Sequence, residues 1–178
     1  GSRRSRHAVW VEKFERAVSS SKEDFVEHHR RHYQGDMPVW AAVEIMDWGM
    51  LSYLYDFSPT EVRHGIADEC GLAAPQLASW LKCLNIVRNY AAHHARMFNR
   101  VFDIKPKLSD DEQLQEVAGV SNRSFGQLSL IQYLHRQLDL SPANRLPQLL
   151  DTFPHNDIVP FSRTGAPDGW ERLALWER

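Results

Sequence analysis

Only two cysteines, Cys70 and Cys83, occur in 178 residues. That is too few for a disulfide framework, and their spacing suits no zinc knuckle. Both sit among apolar residues and are expected to be buried thiols. No stretch approaches the roughly 20 consecutive apolar residues of a membrane span. No basic-then-apolar leader with a cleavage site is evident, so the expected location is cytoplasmic, away from any membrane. Internal repeats and low-complexity linkers are also missing. Nor is there an excess of either charge: 21 Lys and Arg face 23 Asp and Glu, a net charge of -2. A chain so balanced is not a broadly basic nucleic-acid binder.

What is there is the length for one domain, which buries about two-thirds of its unfolded surface without disulfides or metals. The charge is unevenly spread. Residues 36–70 hold seven acids and one Arg, whereas residues 88–107 hold five Lys or Arg and one acid. A local anion site is compatible with that asymmetry.

Apolar spacing predicts helices almost throughout. Val9, Val11, Phe14 and Val18 repeat at helical intervals, and Ser21-Lys22-Glu23-Asp24 resembles a capping box opening a second helix. The His28-His29-Arg30-Arg31-His32 run on that helix is read as a solvated face, with a positive path for RNA as the alternative. Asp36 and Pro38 predict a third start, with one buried helix running from Trp40 through Tyr55, interrupted only by Glu44 and Asp47. Ser58-Pro59-Thr60-Glu61 starts another helix, which Gly71 stops. From Pro75 a long periodic segment without Gly or Pro continues to Arg100. Residues 101–109 look extended. Further helices are expected from Phe125 to Leu138 and from Ala143 to Leu150, before a Gly/Pro-punctuated tail.

The fold class expected is therefore all-α, with an irregular C-terminal cap. Gly1-Ser2 reads as a tag remnant, leaving one domain over 3–178 with a core at 36–100 and C-terminal helices at 124–178.

The segment Asn85 to Arg100 carries the chemistry. At about 100° per residue, Asn85, Arg88, Asn89, Ala92, His93, Arg96, Asn99 and Arg100 share an arc of about 140°, and all but Ala92 are polar. A solvated face would mix Glu with Lys. This one has no acid, so three Arg, three Asn and one His call for an anion. His93 and His94 point about 100° apart and cannot chelate one metal from a regular helix, and no ligand set accompanies them. No metal and no cofactor are expected. His94 is assigned to the buried seam as a structural residue, His93 to the functional stripe.

Arg88-Asn89-Tyr90-Ala91-Ala92-His93 fits R-x4-H with a polar residue after the Arg, which resembles the signature of HEPN-superfamily ribonucleases. The longer stretch through His94, Arg96, Asn99 and Arg100 resembles the Abi-like abortive-infection proteins of the AbiD/AbiF type. Pro38-x-Trp40 with Glu44 and Gly49 agrees with that family, as does Gly165-Ala166-Pro167-Asp168-Gly169-Trp170 with its Gly-x-Pro-x-x-Trp element. The sequence departs from it at Met97-Phe98, where Leu-Trp is usual, and at Asp47-Trp48, where Ser-Phe is usual. The resemblance covers residues 37–100 and then thinly to 176. The family's N-terminal region is not recognised, so the chain is expected to be an excised piece.

The resemblance implies a HEPN-like helical bundle and metal-independent RNA cleavage in phage defence. His93 would act as base or acid and Arg88 would hold the phosphate. Asn89, Arg96, Asn99 and Arg100 would support RNA binding, and Glu44 would pair with Arg88 or with another cation as an ordinary buried ion pair. A homodimer with a composite cleft, an RNA partner and an antitoxin or regulatory RNA belong to the same expectation. The alternatives are a non-catalytic RNA-binding or protein-interaction module, and a polar stripe satisfied inside a dimer interface.

Overall fold

The structure, a computed structural model, describes residues 5–140, 142 and 144–177. Gly1 and Ser2, read as a tag remnant, lie outside the described residues. Nine α-helices and four 3-10 turns make up the regular structure among those described, with one isolated bridge, Val101 to Arg123, and no sheet. The all-α class read from the sequence holds. The chain divides into two units, Gly1–Pro59 and Thr60–Arg178.

In the first unit, α1 (Arg6–Ser20) starts where the Ser5 hydroxyl accepts from Ala8 N–H at 3.1 Å. α2 spans Asp24–His32. Its N-cap is Glu23 and makes no side-chain cap bond, so no capping box forms; Ser21 instead ends α1 and accepts from Glu23 N–H. Arg30 and Arg31 both pair with Glu27, one turn back on the same helix. That compensation is what a solvated helix face shows.

The single helix expected from Trp40 to Tyr55 is broken. α3 is only Val39–Ala42, a 3-10 turn follows at Val43–Ile45, and α4 begins afresh at Trp48–Phe57. Met46 and Asp47 are extended between them, and the Asp47 carboxylate accepts from Met50 N–H at 2.7 Å. An Asp that caps a downstream turn offers the backbone an alternative to continuing the helix. Asp47 therefore lies on no apolar face; it is a cap, a role Ser also fills well. Trp40 is 75% exposed, and Glu44 is exposed on the 3-10 turn, so neither belongs to a buried helix and Glu44 forms no buried ion pair. α1 and α4 pack through Trp10, whose indole N–H donates to the Met50 carbonyl at 3.0 Å, and through Lys13, which meets Asp47 at 2.5 Å.

The second unit is built on α5 (Thr60–Glu69), α6 (Ala74–Ala92) and α8 (Ser124–Gln137). Short helices α7 (Glu112–Gln115) and α9 (Arg145–Asp151) lie between and after them. Ala143, the expected start of the last helix, lies outside the described residues. α5 ends as expected at Gly71 (φ +64°), where Leu72 N–H reaches the Ala67 carbonyl and Gly71 N–H that of Asp68. That left-handed closure favours glycine. The buried face of α6 is Ala74, Leu77, Trp80, Cys83, Leu84 and Val87, spaced at helical intervals. Trp80 is completely buried and donates to the Lys107 carbonyl at 2.8 Å, fastening the extended residues 101–109 to α6.

α8 approaches the Ala118–Val120 turn through Gly126, where a β-carbon would fall 2.2 Å from the Val120 carbonyl oxygen. Phe125, the residue before Gly126, stacks on the C-terminal Trp176 with ring centres 4.9 Å apart, and Phe125, Leu130, Leu175 and Trp176 are all fully buried. Arg136 clamps that tail by donating to the carbonyls of Ala174 and Glu177. Both cysteines are buried and free, and burial pushes the Cys83 thiol up to about 11, so it is a packing group and no nucleophile at neutral pH. Among the described residues no helix is long and apolar enough to cross a membrane.

Candidate functional site

The polar stripe does not run along one helix to Arg100. α6 ends at Ala92, with His93 as its C-cap and His94 in the left-handed conformation at φ +51°. Ala95 N–H bonds the Tyr90 carbonyl at 2.9 Å and His94 N–H that of Ala91 at 3.2 Å. These are the same two closing bonds that end α5, made here without a glycine. The sequence therefore carries no breaker at this point. The expected 140° arc survives only for Asn85, Arg88, Asn89 and Ala92, with His93 at its edge.

Arg88 and His93 are both exposed, and Asn89 between them is half-buried. Arg88 Nη1 donates to Asn89 Oδ1 at 3.1 Å, and His93 N–H to the Asn89 carbonyl at 3.1 Å. Five helical positions separate Arg88 from His93, about 7.5 Å along the axis and about 140° in direction. The assignment of His94 to a buried seam is corrected: it is exposed, because the left-handed turn takes the chain off the helix before that seam is reached.

Arg96, Asn99 and Arg100 lie in the loop after α6. Arg100 folds back: its Nε donates to the Arg96 carbonyl at 2.8 Å, its Nη1 to the Tyr90 hydroxyl at 2.9 Å, and its guanidinium carbon sits 4.2 Å from the Tyr90 ring centre. The loop is also held from a distance. Ser124 Oγ donates to the Met97 carbonyl at 2.5 Å, and Arg123 Nη2 donates both to Asn99 Oδ1 at 3.2 Å and to the Arg163 carbonyl at 3.0 Å. Arg123 was not legible as a site residue, because nothing in Ser121-Asn122-Arg123-Ser124 marks it beyond a helix start.

The site is electrostatically one-sided. Among the described residues none of Arg88, Arg96, Arg100 and Arg123 forms an ion pair, so their charge is available to an external anion. No group of three His, Cys, Asp or Glu that could hold a metal occurs among the described residues. Glu44 belongs to the first unit, exposed on its 3-10 turn. What this end of α6 offers chemically is guanidinium donors for a phosphate and an imidazole for proton transfer.

No curated protein and no solved structure matches the chain. A family model described as Abi-like protein matches residues 1–99. The match takes in α1 and α2, ahead of the motifs that carry the resemblance, and stops before the Gly165 to Trp170 element. It ends at Asn99, so it contains Arg88, Asn89, His93, His94 and Arg96. On that match, which spans more than half of its length, the chain belongs to the Abi-like protein family.

Proposed function

We propose that this chain is a metal-independent endoribonuclease of the HEPN type, of the AbiD/AbiF kind, acting in abortive infection. Membership of the Abi-like family suggests the biological setting. The observation that carries the chemistry is the placement of exposed Arg88 and exposed His93 five positions apart at the end of α6, neither of them in an ion pair among the described residues.

In this reading His93 removes the proton of an RNA 2′-OH, whose oxygen then bonds the adjacent phosphorus. The P–O5′ bond breaks, leaving a 2′,3′-cyclic phosphate, and the departing 5′-oxygen takes a proton from an imidazolium or from water. Arg88 holds the phosphate and offsets the charge that grows on it. Asn89 orients the Arg88 guanidinium through its side-chain bond, and Arg96, Asn99 and Arg100 extend the RNA backbone contact.

The 140° between Arg88 and His93 supports a homodimer. The two groups diverge on one copy, whereas two facing copies of α6 bring the Arg of one toward the His of the other. A site in the cytoplasm and an antitoxin or regulatory RNA that restrains it complete the proposal.

A second reading, a non-catalytic RNA-binding module, is favoured by one feature: Arg100 is stacked on Tyr90 and Asn99 is held by Arg123, a fixed surface for a phosphate backbone. Incubating wild type and His93→Ala with several single-stranded RNAs in EDTA separates the two. Cleavage lost in His93→Ala supports the enzyme; RNA binding that needs Arg88 or Arg96, without cleavage by wild type, supports the module.

A further inference from the structure

The Gly165 to Trp170 element takes no part in the chemistry above, yet it forms one wall of a cavity of roughly 420 Å³ within the second unit. Small-ligand sites fall in this size range, about 300–1,000 Å³. Phe153, Phe161 and Trp170 line it, with ring centres 5.2 Å apart for the first pair and 5.5 Å for the second. Trp170 is 7% exposed and meets Trp176 edge-on at 5.3 Å, so this aromatic wall is anchored in the core.

Asp168 and Glu171 also line the cavity, both exposed, and no lysine or arginine does. Gly169 turns the chain at φ +72° into the short 3-10 turn Trp170–Arg172, so Asp168 and Glu171 flank the buried indole in the chain. Arg172 folds its guanidinium over Gly169, and Asp151 and His155 are the other ionisable side chains of the lining.

We propose that this cavity binds an organic cation, an alkylammonium or guanidinium head seated against the Phe153, Phe161 and Trp170 rings and rimmed by carboxylates. Aromatic faces attract such cations, and the carboxylates add a second, longer-range attraction. An anion would meet the negative charges of Asp168 and Glu171. A neutral apolar ligand would strip water from the carboxylates without pairing them. A divalent metal would want three converging donors, and no such group occurs among the described residues. The site is independent of the ribonuclease reading.

The test follows the indole N–H resonance of Trp170 at constant ionic strength while choline, spermidine or N-acetyl-arginine amide is added. The control is 3,3-dimethyl-1-butanol, the neutral isostere of choline. Saturable shifts from the cations and none from the alcohol are expected. The doubly substituted Asp168→Asn/Glu171→Gln chain, with unchanged melting because both positions are exposed, should bind about threefold to tenfold more weakly. Tighter binding of spermidine assigns a free polyamine as the source of the cation; tighter binding of N-acetyl-arginine amide assigns a protein side chain. No saturable shift from any of the three cations, an equal response to the alcohol, or unchanged affinity in the double variant overturns the proposal.

Discussion

Arg123, at the start of α8, holds Asn99 in the loop after α6 through a 3.2 Å bond from Nη2 to Oδ1. The same nitrogen donates to the Arg163 carbonyl. One side chain thereby joins the last residue of the family match to the C-terminal segment that lies outside it.

Removing that guanidinium should loosen the loop bearing Arg96 and Arg100. Arg123→Ala is expected to cost about 1.5–3 kcal/mol in chemical denaturation, the range for hydrogen bonds made by a charged group. It should also weaken RNA binding. Arg123→Lys keeps the charge without the fork and should recover binding only in part. If both variants match wild type in stability and RNA affinity, the loop is held by other means.

The left-handed turn at His94 predicts a gain from glycine. His94→Gly should raise stability by about 1 kcal/mol, because the L side chain is strained there and glycine is not. His94→Val should lower it, since a branched β-carbon suits this conformation least. Thermal unfolding decides the matter. A stabilised valine variant would show that the helix runs on past Ala92.

Gly126 predicts a larger loss. A β-carbon 2.2 Å from a carbonyl oxygen cannot be relieved by a side-chain rotation. Gly126→Ala is therefore expected to cost about 2–3 kcal/mol through displacement of α8 or of the Ala118–Val120 turn. Gly119, with open space around it, serves as the control, and its alanine variant should melt close to wild type.

Asp47 predicts a pH dependence for the first unit. Burial raises its carboxyl pKa, but the Lys13 ammonium and the Met50 N–H outweigh that and hold it below the usual aspartate value of 3.8. A depressed pKa means the stabilisation is present above pH 3.8 and disappears as the pH falls through the lower folded-state value. Asp47→Asn keeps an N-cap but loses the ion pair, so its deficit against wild type should shrink below about pH 4. Asp47→Ala loses the cap as well, at about 1 kcal/mol more. Melting curves from about pH 7 down to about pH 2.5 span the transition. A constant difference between the Asp47→Asn variant and wild type across that range would refute the assignment.

Arg88 and His93 predict losses of function without losses of fold, because both are exposed. His93→Ala should lower RNA cleavage by about 10²- to 10⁴-fold, the usual contribution of a general acid or base. Arg88→Ala should do comparable harm, and Arg88→Lys should restore little. Gel assays of cleavage alongside melting temperatures distinguish this from a structural role, in which Arg88→Ala unfolds the protein or breaks a dimer.

Much of this was legible in the chain itself. The starts of α5 and α6 follow from Pro59 and Pro75, the stop of α5 from Gly71, and the buried faces from apolar spacing at 3.6 residues per turn. Arg88, Asn89 and His93 were readable because their pattern is local. The start of α2 was not, because Ser21 ends α1 and Glu23 is the N-cap, and two further boundaries were not. The break at Met46 and Asp47 falls inside a continuous apolar pattern, where an Asp reads equally as a polar interruption and as a cap. α6 ends at Ala92 and is closed by left-handed His94, a residue that sequence rules do not mark as a terminator.

Local sequence thus determined that the chain is helical, where most helices begin, and which residue types gather near the end of α6. Tertiary structure alone decided that Arg96, Asn99 and Arg100 leave that helix. The reason is energetic: a left-handed His94 is unfavourable by itself, and it is offset by bonds from Ser124 to Met97 and from Arg123 to Asn99. Those donors lie more than twenty residues further along the chain, where no local pattern connects them to the helix they help to end.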